Sequence, residues 1–553
     1  MAIGYLDSQK LTNIANSIRT KLGSENTYTV DQMPTAITSI PSPEQPRVFK
    51  DVNFFDYDGT ILYQYTLQEA RALTAMPALP TAPTGYTADS WTESLSFIQN
   101  LTGPCDVGVN YDANNAYTLV KLTIPENNFQ VCTKGSSYDS YGSTKIEWGD
   151  GSAAETLNSS KRVIHTYATA GDYYVKIYAA GGTYYLPDPY SSTGYSDARY
   201  GTMFMPFPYV SNTSSMYGTE CHIIKEIWLG SGLNVNGHSI YLSNCKSLEV
   251  FMHPRNAFTD NYVYAYFAGT SFKHLTIPSN TREISTLDTN RISPASGGPE
   301  TLISPSTVTV NNNQPIGPNT RRFISYKWTK ASFAINDRTN LEELLISPSV
   351  MTSSFSNNPK LKKAYVQSTL NNTSIFGNCS KLESMDLSYS TATALPSSIF
   401  EKTLSLKEVI FPSTFTAIQS NCFQNSGIEN ITIPSGVTSL GDRCFECSAL
   451  KQITLPSSCW NFADYCFQKC YGLTEVHLTA NPNPPELGNY CFAYCYNLTS
   501  VYIYATALPA QWGTNIFQST SNVTIYIPNS ALSAWQTAFP DYASMMVGWD
   551  PTN

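Results

Sequence analysis

At 553 residues the chain is too long for one hydrophobic core, and its length implies three or four domains. Only 14% of residues are charged while 13% are aromatic, with 37 Tyr, a profile that fits an exposed β-rich protein better than a helical cytosolic enzyme. The net charge of −9 leaves no basic stripe for phosphate contacts, and no run reaches the ~20 apolar residues that span a bilayer, so neither nucleic-acid binding nor membrane insertion is expected.

Met1 to Lys10 lack the basic and apolar segments of a secretory signal, so export by that route is not expected. Residues 5–40 read as two short helices. Leu11, Ile14, Ala15, Ile18 and Leu22 share one helical face ahead of Gly23, a C-cap. Asp31 can cap a second helix carrying Met33, Ala36 and Ile37, with Pro34 in its first turn. So small a pair cannot bury its apolar face alone, and residues 1–45 are expected to dock on a partner or self-associate. "PSPEQP" is a linker, and residues 46–104 form a linker or small module. Within that module "FFDYDGTIL" (54–62) looks like the DxDGT of a haloacid-dehalogenase-type phosphatase, with Asp56 and Asp58 as nucleophile and acid/base. No second β/α unit follows, and Asp-Gly between apolar runs is a strong hairpin signal, so a β-hairpin is the expectation.

The segments "LDSQKLTNIANSIRTKLGSENTYTVDQMPTAITSI" and "VNFFDYDGTILYQYTLQEARALTAMPALPTAPTGYTADSWTESL" resemble N-terminal parts of structural proteins of tailed bacteriophages and prophages. The resemblance covers about a fifth of the chain and implies an anchor to a virus particle.

Residues 105–185 are strand-rich. Tyr173, Val175 and Ile177 alternate with Tyr174, Lys176 and Tyr178 as in a half-buried strand, and Gly149-Asp150-Gly151 marks a hairpin. The pattern WGDGS…HTY…AGDYYVKI resembles the polycystic-kidney-disease-type (PKD) β-sandwich. That likeness implies that Trp148, His165 and Tyr167 hold a core, and that the module is a spacer without chemistry. Residues 186–221, rich in aromatics and Met without a period, read as a linker.

From 222 to 553 one pattern repeats. Leu406–Val409–Phe411–Pro412, Ile428–Ile431–Ile433–Pro434 and Leu450–Ile453–Leu455–Pro456 have prolines 22 residues apart, as do the loop residues Phe423, Phe445 and Phe467. Earlier copies begin at Ile224, Phe272 and Leu341, and later ones at Leu473 and Leu498. Residues 284–340 are irregular, with room for one degenerate repeat plus an insertion. After a last strand, "NSALSAWQTAF" is expected to close the exposed end as a helix. Such a period predicts a solenoid of stacked parallel strands with apolar i, i+3 and i+5 residues inside. The residues between them, Glu475 and His477 or Ser500 and Tyr502, point out and vary between copies, as a recognition surface would. The pattern resembles the BspA-like leucine-rich repeats of bacterial and phage surface proteins.

The 13 cysteines follow the repeat. Cys245, Cys379, Cys447, Cys470 and Cys495, with Asn358 and Asn425, each lie three residues before the first apolar strand residue. Cys422, Cys444, Cys466 and Cys491 each precede a loop Phe. Both columns read as buried spine positions, so zinc and redox chemistry are not expected. The six histidines (165, 222, 238, 253, 274, 477) are scattered without metal-ligand spacing. A glycan depolymerase needs two carboxylates from distant positions, which sequence cannot pair, and the period is not that of a parallel β-helix.

The fold expected is therefore multidomain and β-rich: a helical anchor, a PKD/Ig-like β-sandwich and a C-terminal leucine-rich-repeat solenoid. The function expected is that of a phage fibre or appendage protein, not an enzyme, with no catalytic, cofactor-binding or metal-binding residues and no cofactor. Its partners would be other virion proteins, through the N-terminal helices, and a bacterial cell-surface protein or glycan. It would be assembled in the host cytoplasm and carried on the virion. A homotrimer is the expectation by analogy with phage fibres. The alternatives are a secreted or cell-surface bacterial adhesin with the same modules, and a purely decorative virion protein.

Overall fold

The alternation of apolar and polar residues over 52–55, 61–65 and 86–91 builds a small module, seen here in a computed structural model. The model describes residues 50–134, 144–157 and 162–178, the strands and some turns of 223–346, and nearly all of 354–550. The N-terminal helices expected over 1–45 and most of the linker at 186–221 lie outside the described residues. From Asp51 onward the chain forms one compact unit.

In the module, strand Val52–Phe55 pairs antiparallel with Ile61–Tyr65, which makes the Asp56/Asp58 motif the hairpin its Asp-Gly pair predicts. Two one-turn helices follow. Thr66 and Glu69 form a reciprocal capping box on Leu67–Arg71, and the Ser94 side chain caps Leu95–Gln99. Strands Cys105–Val107 and Val109–Ala113, placed by the sequence with the sandwich, pair instead inside the module, with Val52–Phe54 and Tyr86–Trp91 respectively. Pairings between segments some 50 residues apart carry no local signal.

The sandwich proper starts at Tyr117. One sheet holds Tyr117–Ile124, Gly171–Tyr178, Thr144–Glu147 and Glu155–Leu157, and the other holds Phe129–Lys134, Arg162–Tyr167 and Phe207–Pro208. Trp148 and Tyr167 are fully buried between them. His165 stacks on Trp148 at 4.5 Å and 7°, its Nε2 lies 2.8 Å from Asp150 Oδ2, and the Tyr167 hydroxyl donates to the Trp148 carbonyl at 2.9 Å. His165 is thus a core residue. The first sheet does not end at the sandwich, because Ile224–Trp228 and Val250–Met252, the first solenoid strands, extend it. Sandwich and solenoid share one hydrogen-bonded sheet, so no hinge separates them at residue 222.

The solenoid continues as parallel rungs. His274–Thr276, Thr301–Ser304, Arg322–Ser325, Glu343–Ile346, Lys363–Val366, Ser384–Asp386 and Glu408–Ile410 form one sheet, and Gln452–Leu455 through Met546–Trp549 form another. The irregular stretch 284–340 therefore supplies two further rungs of this face, at 301–304 and 322–325, hidden in the sequence by loops of unequal length. The ladder breaks at the Ile428 copy, one of the three most regular in sequence, where residues 430–433 take no strand conformation. At the C-terminal end helix Leu532–Ala538 buries Trp535, as expected for a cap, but the chain then adds a last parallel strand, Met546–Trp549.

Inside the loops, eight phenylalanines from Phe355 to Phe517 stack rung on rung with centroids 5.0–6.4 Å apart. Each Phe from 376 on is flanked at −2 and +2 by non-glycine residues in the left-handed region, for example Arg443 and Cys447 or Tyr465 and Lys469. Such corners cost roughly 1–2 kcal/mol each, and the loop-to-loop ladder offsets them. Arg443, Phe445 and Cys447 donate backbone N–H to the carbonyls of Asp464, Cys466 and Gln468 in the next rung.

The spine column lies three residues after each Phe. Asn358 and Thr403 donate to the carbonyl of their own rung's Phe at 2.7 Å, while Cys379, Cys470 and Cys495 donate to that of the preceding rung at 3.3, 3.0 and 3.1 Å. Cys447 and Asn425 are not in it, contrary to the sequence expectation. Their repeats keep only two residues between spine and strand, so Ser448 and Ser426 take the buried position and Cys447 and Asn425 fall on the left-handed corner. Burial pushes the Cys379 and Cys470 thiols up to about 12 and Cys444 up to about 11, which keeps them protonated at neutral pH.

Candidate functional site

A repeat strand offers one side chain to the interior and the next to the outside. On the first rungs that outside is closed. Strand Glu343–Ile346 is buried on both faces, because the module of residues 51–113 lies on it. Arg322, fully buried, places Nε 3.3 Å from Asp106 and 3.2 Å from Glu343, and its Nη2 donates to the Asp51 carbonyl at 2.8 Å. Phe55 stacks on His274 at 5.3 Å, Gln367 donates to the Thr102 hydroxyl at 2.8 Å, and Tyr326 reaches the carbonyls of Gly103 and Pro104. A Cβ on Gly108 would lie 2.4 Å from Thr276, so only glycine permits this approach. Burial raises the pKa of both Asp106 and Glu343, opposed by the guanidinium between them.

From Ser384 onward the outward face is open. Its central column runs Asp386, Ile410, Thr432, Thr454, His477, Tyr502, Tyr526 and Val547, and Ile410 and Val547 are each more than two-fifths exposed. Toward the C-terminus it becomes aromatic. His477 stacks on Tyr502 at 4.6 Å and 7°, and Tyr502 on Tyr526 at 4.5 Å and 9°. Trp549 meets Tyr502 and Tyr504 edge-on, both at 5.1 Å. The rings occupy one another's faces, so they present their rims and hydroxyls to a partner. Glu475 fixes His477 Nε2 at 2.6 Å while Tyr504 meets its Nδ1 at 3.1 Å, which holds the imidazole upright in the stack. A rigid, half-exposed aromatic patch beside one carboxylate is interface chemistry: large contact area at little loss of side-chain freedom.

Sequence reading named Glu475, His477, Ser500 and Tyr502 as outward, and the structure brings all four together. It missed Tyr526, Tyr504 and Trp549, of which Tyr526 was available as the same strand position one rung on. Among the remaining histidines, His165 and His274 are packed against aromatic rings, and burial pushes His253 down to about 4; His222 and His238 lie outside the described residues. Asp56 accepts from the backbone of Tyr57 and the hydroxyl of Tyr111, and Asp58 from the backbone of Thr60, all within the hairpin and its support. Among the described residues no group of three or more His, Cys, Asp or Glu is placed to hold a metal ion.

The family "BspA type Leucine rich repeat region" matches in six copies, across residues 331–429, 372–499 and 417–545. These are BspA-type leucine-rich repeats. The matched span is less than half of the chain and coincides with the open rungs and the last covered ones. None of the curated proteins matches the sequence. Among solved structures the chain is similar to a leucine-rich repeat protein from Bacteroides ovatus, at 16% identity and TM-score 0.27 over 60% of this chain and 96% of that one. A leucine-rich repeat protein of T. pallidum matches at 16% identity and TM-score 0.25 over 37% of this chain and 86% of that one. A leucine-rich cell surface protein from Faecalibacterium prausnitzii matches at 17% identity and TM-score 0.20, over 42% and 87%.

Proposed function

We propose that this chain is a non-catalytic attachment protein, displayed on a bacterial surface, whose open BspA-type rungs bind a partner through the aromatic end of the strand face. One observation carries the reading. The same face that is filled by a partner in cis on the first rungs is left open on the last, and there it carries His477, Tyr502, Tyr526, Tyr504 and Trp549 at its surface. The sandwich, similar to a PKD module, would act as a stiff spacer, since its sheet runs into the solenoid without a hinge. Several copies on one surface would add effective concentration to weak single contacts.

A second reading, an appendage of a phage particle, is favoured by the likeness of residues 6–40 to phage structural segments, which would then dock on other virion proteins. Binding through the open face is common to both readings. The full chain is expected to bind intact bacterial cells, and Tyr502→Ala combined with Tyr526→Ala to abolish it; unchanged binding by that variant refutes the site. Immunogold electron microscopy separates the two locations, with label on cell envelopes supporting the first reading and label on phage particles the second.

A further inference from the structure

Away from the open face, a cleft of about 240 Å³ lies where the module, the sandwich and the first solenoid strand meet. Its floor is the outer side of their shared sheet. Register aligns Tyr174, Lys121 and Glu226 in one row across three strands, and Lys176, Leu119 and Trp228 in the next. The module closes one side with Tyr86, whose hydroxyl donates to the Leu229 carbonyl. The walls are fixed by backbone: Asn114 N–H donates to the Gly85 carbonyl at 2.8 Å and Ser231 N–H to that of Asn115 at 2.8 Å. A Cβ on Gly230 would stand 2.3 Å from the Tyr117 carbonyl, so the close approach that shapes the cleft requires glycine there.

The groups around the cleft decide what it can take. Four aromatic rings line it, Tyr86, Tyr117, Tyr174 and Trp228, and Tyr174 is 49% exposed. A cationic ligand is opposed because Lys121 already lies over the Tyr174 ring at 5.8 Å and Lys176 over the Tyr117 ring at 5.2 Å. An anionic one is opposed by Glu226, which accepts from Trp228 Nε1 at 2.8 Å and pairs with Lys121 at 3.4 Å. A neutral ligand with apolar C–H faces and hydroxyl edges meets neither objection. It can lie against the rings and exchange hydrogen bonds with Glu226, Lys121 and Asn115. The volume falls below the ~300–1,000 Å³ of sites for drug-sized ligands, which limits the occupant to about one ring.

We propose that this cleft binds one neutral sugar ring, the terminal unit of a glycan, independently of the open solenoid face. The test is saturation-transfer NMR on the full chain with the methyl glycosides of glucose, galactose, mannose and N-acetylglucosamine. Transfer to the ring protons of at least one is expected, weakened about tenfold by Tyr174→Ala, equivalent to ~1.4 kcal/mol, and reduced by Glu226→Gln. Tyr174 is half-exposed, so its loss leaves the fold intact, whereas Trp228 packs on Tyr57 and Tyr86 and is not a clean probe. Tyr502→Ala, on the open face, should leave the transfer unchanged. The proposal is overturned by no transfer from any of the four glycosides, by displacement of the bound glycoside by choline, by wild-type binding in Tyr174→Ala, or by loss of binding in Tyr502→Ala.

Discussion

The rungs at 274–346 and those at 452–549 have the same inward pattern and opposite outward fates. On the first set the outward positions are His274, Arg322 and Glu343, buried under the module; on the second they are His477, Tyr502 and Tyr526, partly open to solvent. The covered set shows what an occupied face looks like: a desolvated ion triad at the centre, a stacked ring pair, and hydrogen bonds to partner carbonyls at the rim. The open set carries rings stacked on one another and a carboxylate-held imidazole, with nothing laid over them. The repeat thus fixes a rack, and the outward residues of each rung decide whether the rack is used within the chain or beyond it.

Four changes test this contrast, in descending order of effect. Arg322→Met strands Asp106 and Glu343 beneath the module and is expected to cost about 3–5 kcal/mol, whereas Lys451→Ala, which removes the exposed pair with Glu429, should cost under ~1 kcal/mol. Urea midpoints of the two variants measure both; similar losses would erase the distinction. Next, Cys470→Ala removes the spine bond to the Phe445 carbonyl and is expected to cost about 1–3 kcal/mol, as for a buried acceptor left unpaired. Cys470→Ser should recover part of it.

Glu343→Gln addresses the pH dependence. Burial raises the folded pKa of Glu343 above its ordinary value, so its stabilising share is complete below about pH 4 and is lost as pH rises through the raised folded value. The thermal midpoint of Glu343→Gln relative to wild type should therefore climb from pH 4 to pH 7; a flat difference would place the carboxylate in contact with water. The smallest effect is on thiol chemistry. Among the described cysteines of the regular repeats, Cys447 is half-buried on its loop corner while Cys444, Cys466 and Cys470 are buried, so native labelling with a maleimide should mark Cys447 and spare the other three until the chain unfolds.

Much of the rack was legible in the sequence. Leu450–Ile453–Leu455 and its copies announce inward triplets, and Phe423, Phe445 and Phe467 announce the aromatic column, because both recur at a short fixed period. The spine register slipped at Asn425 and Cys447 because it was counted back from the strand, where spacing varies, instead of forward from Phe, where it is constant. The rungs at 301–304 and 322–325 went unread because their loops differ in length from their neighbours'. The covering of the first rungs carries no local sign, since Arg322 meets the Asp51 carbonyl 271 residues away. The open aromatic patch was half legible: Tyr502 and His477 stood out within their strands, while Tyr504 and Trp549 join them only through cross-rung packing.

Hydroxyl-radical footprinting of the full chain, read by mass spectrometry, tests the contrast most directly. The account predicts that Tyr502, Tyr526 and Trp549 are modified several-fold faster than Tyr326, Phe55 and His274. Equal modification of the two sets would mean that the module does not close the first rungs, and would contradict the division of the face into a covered half and an open one.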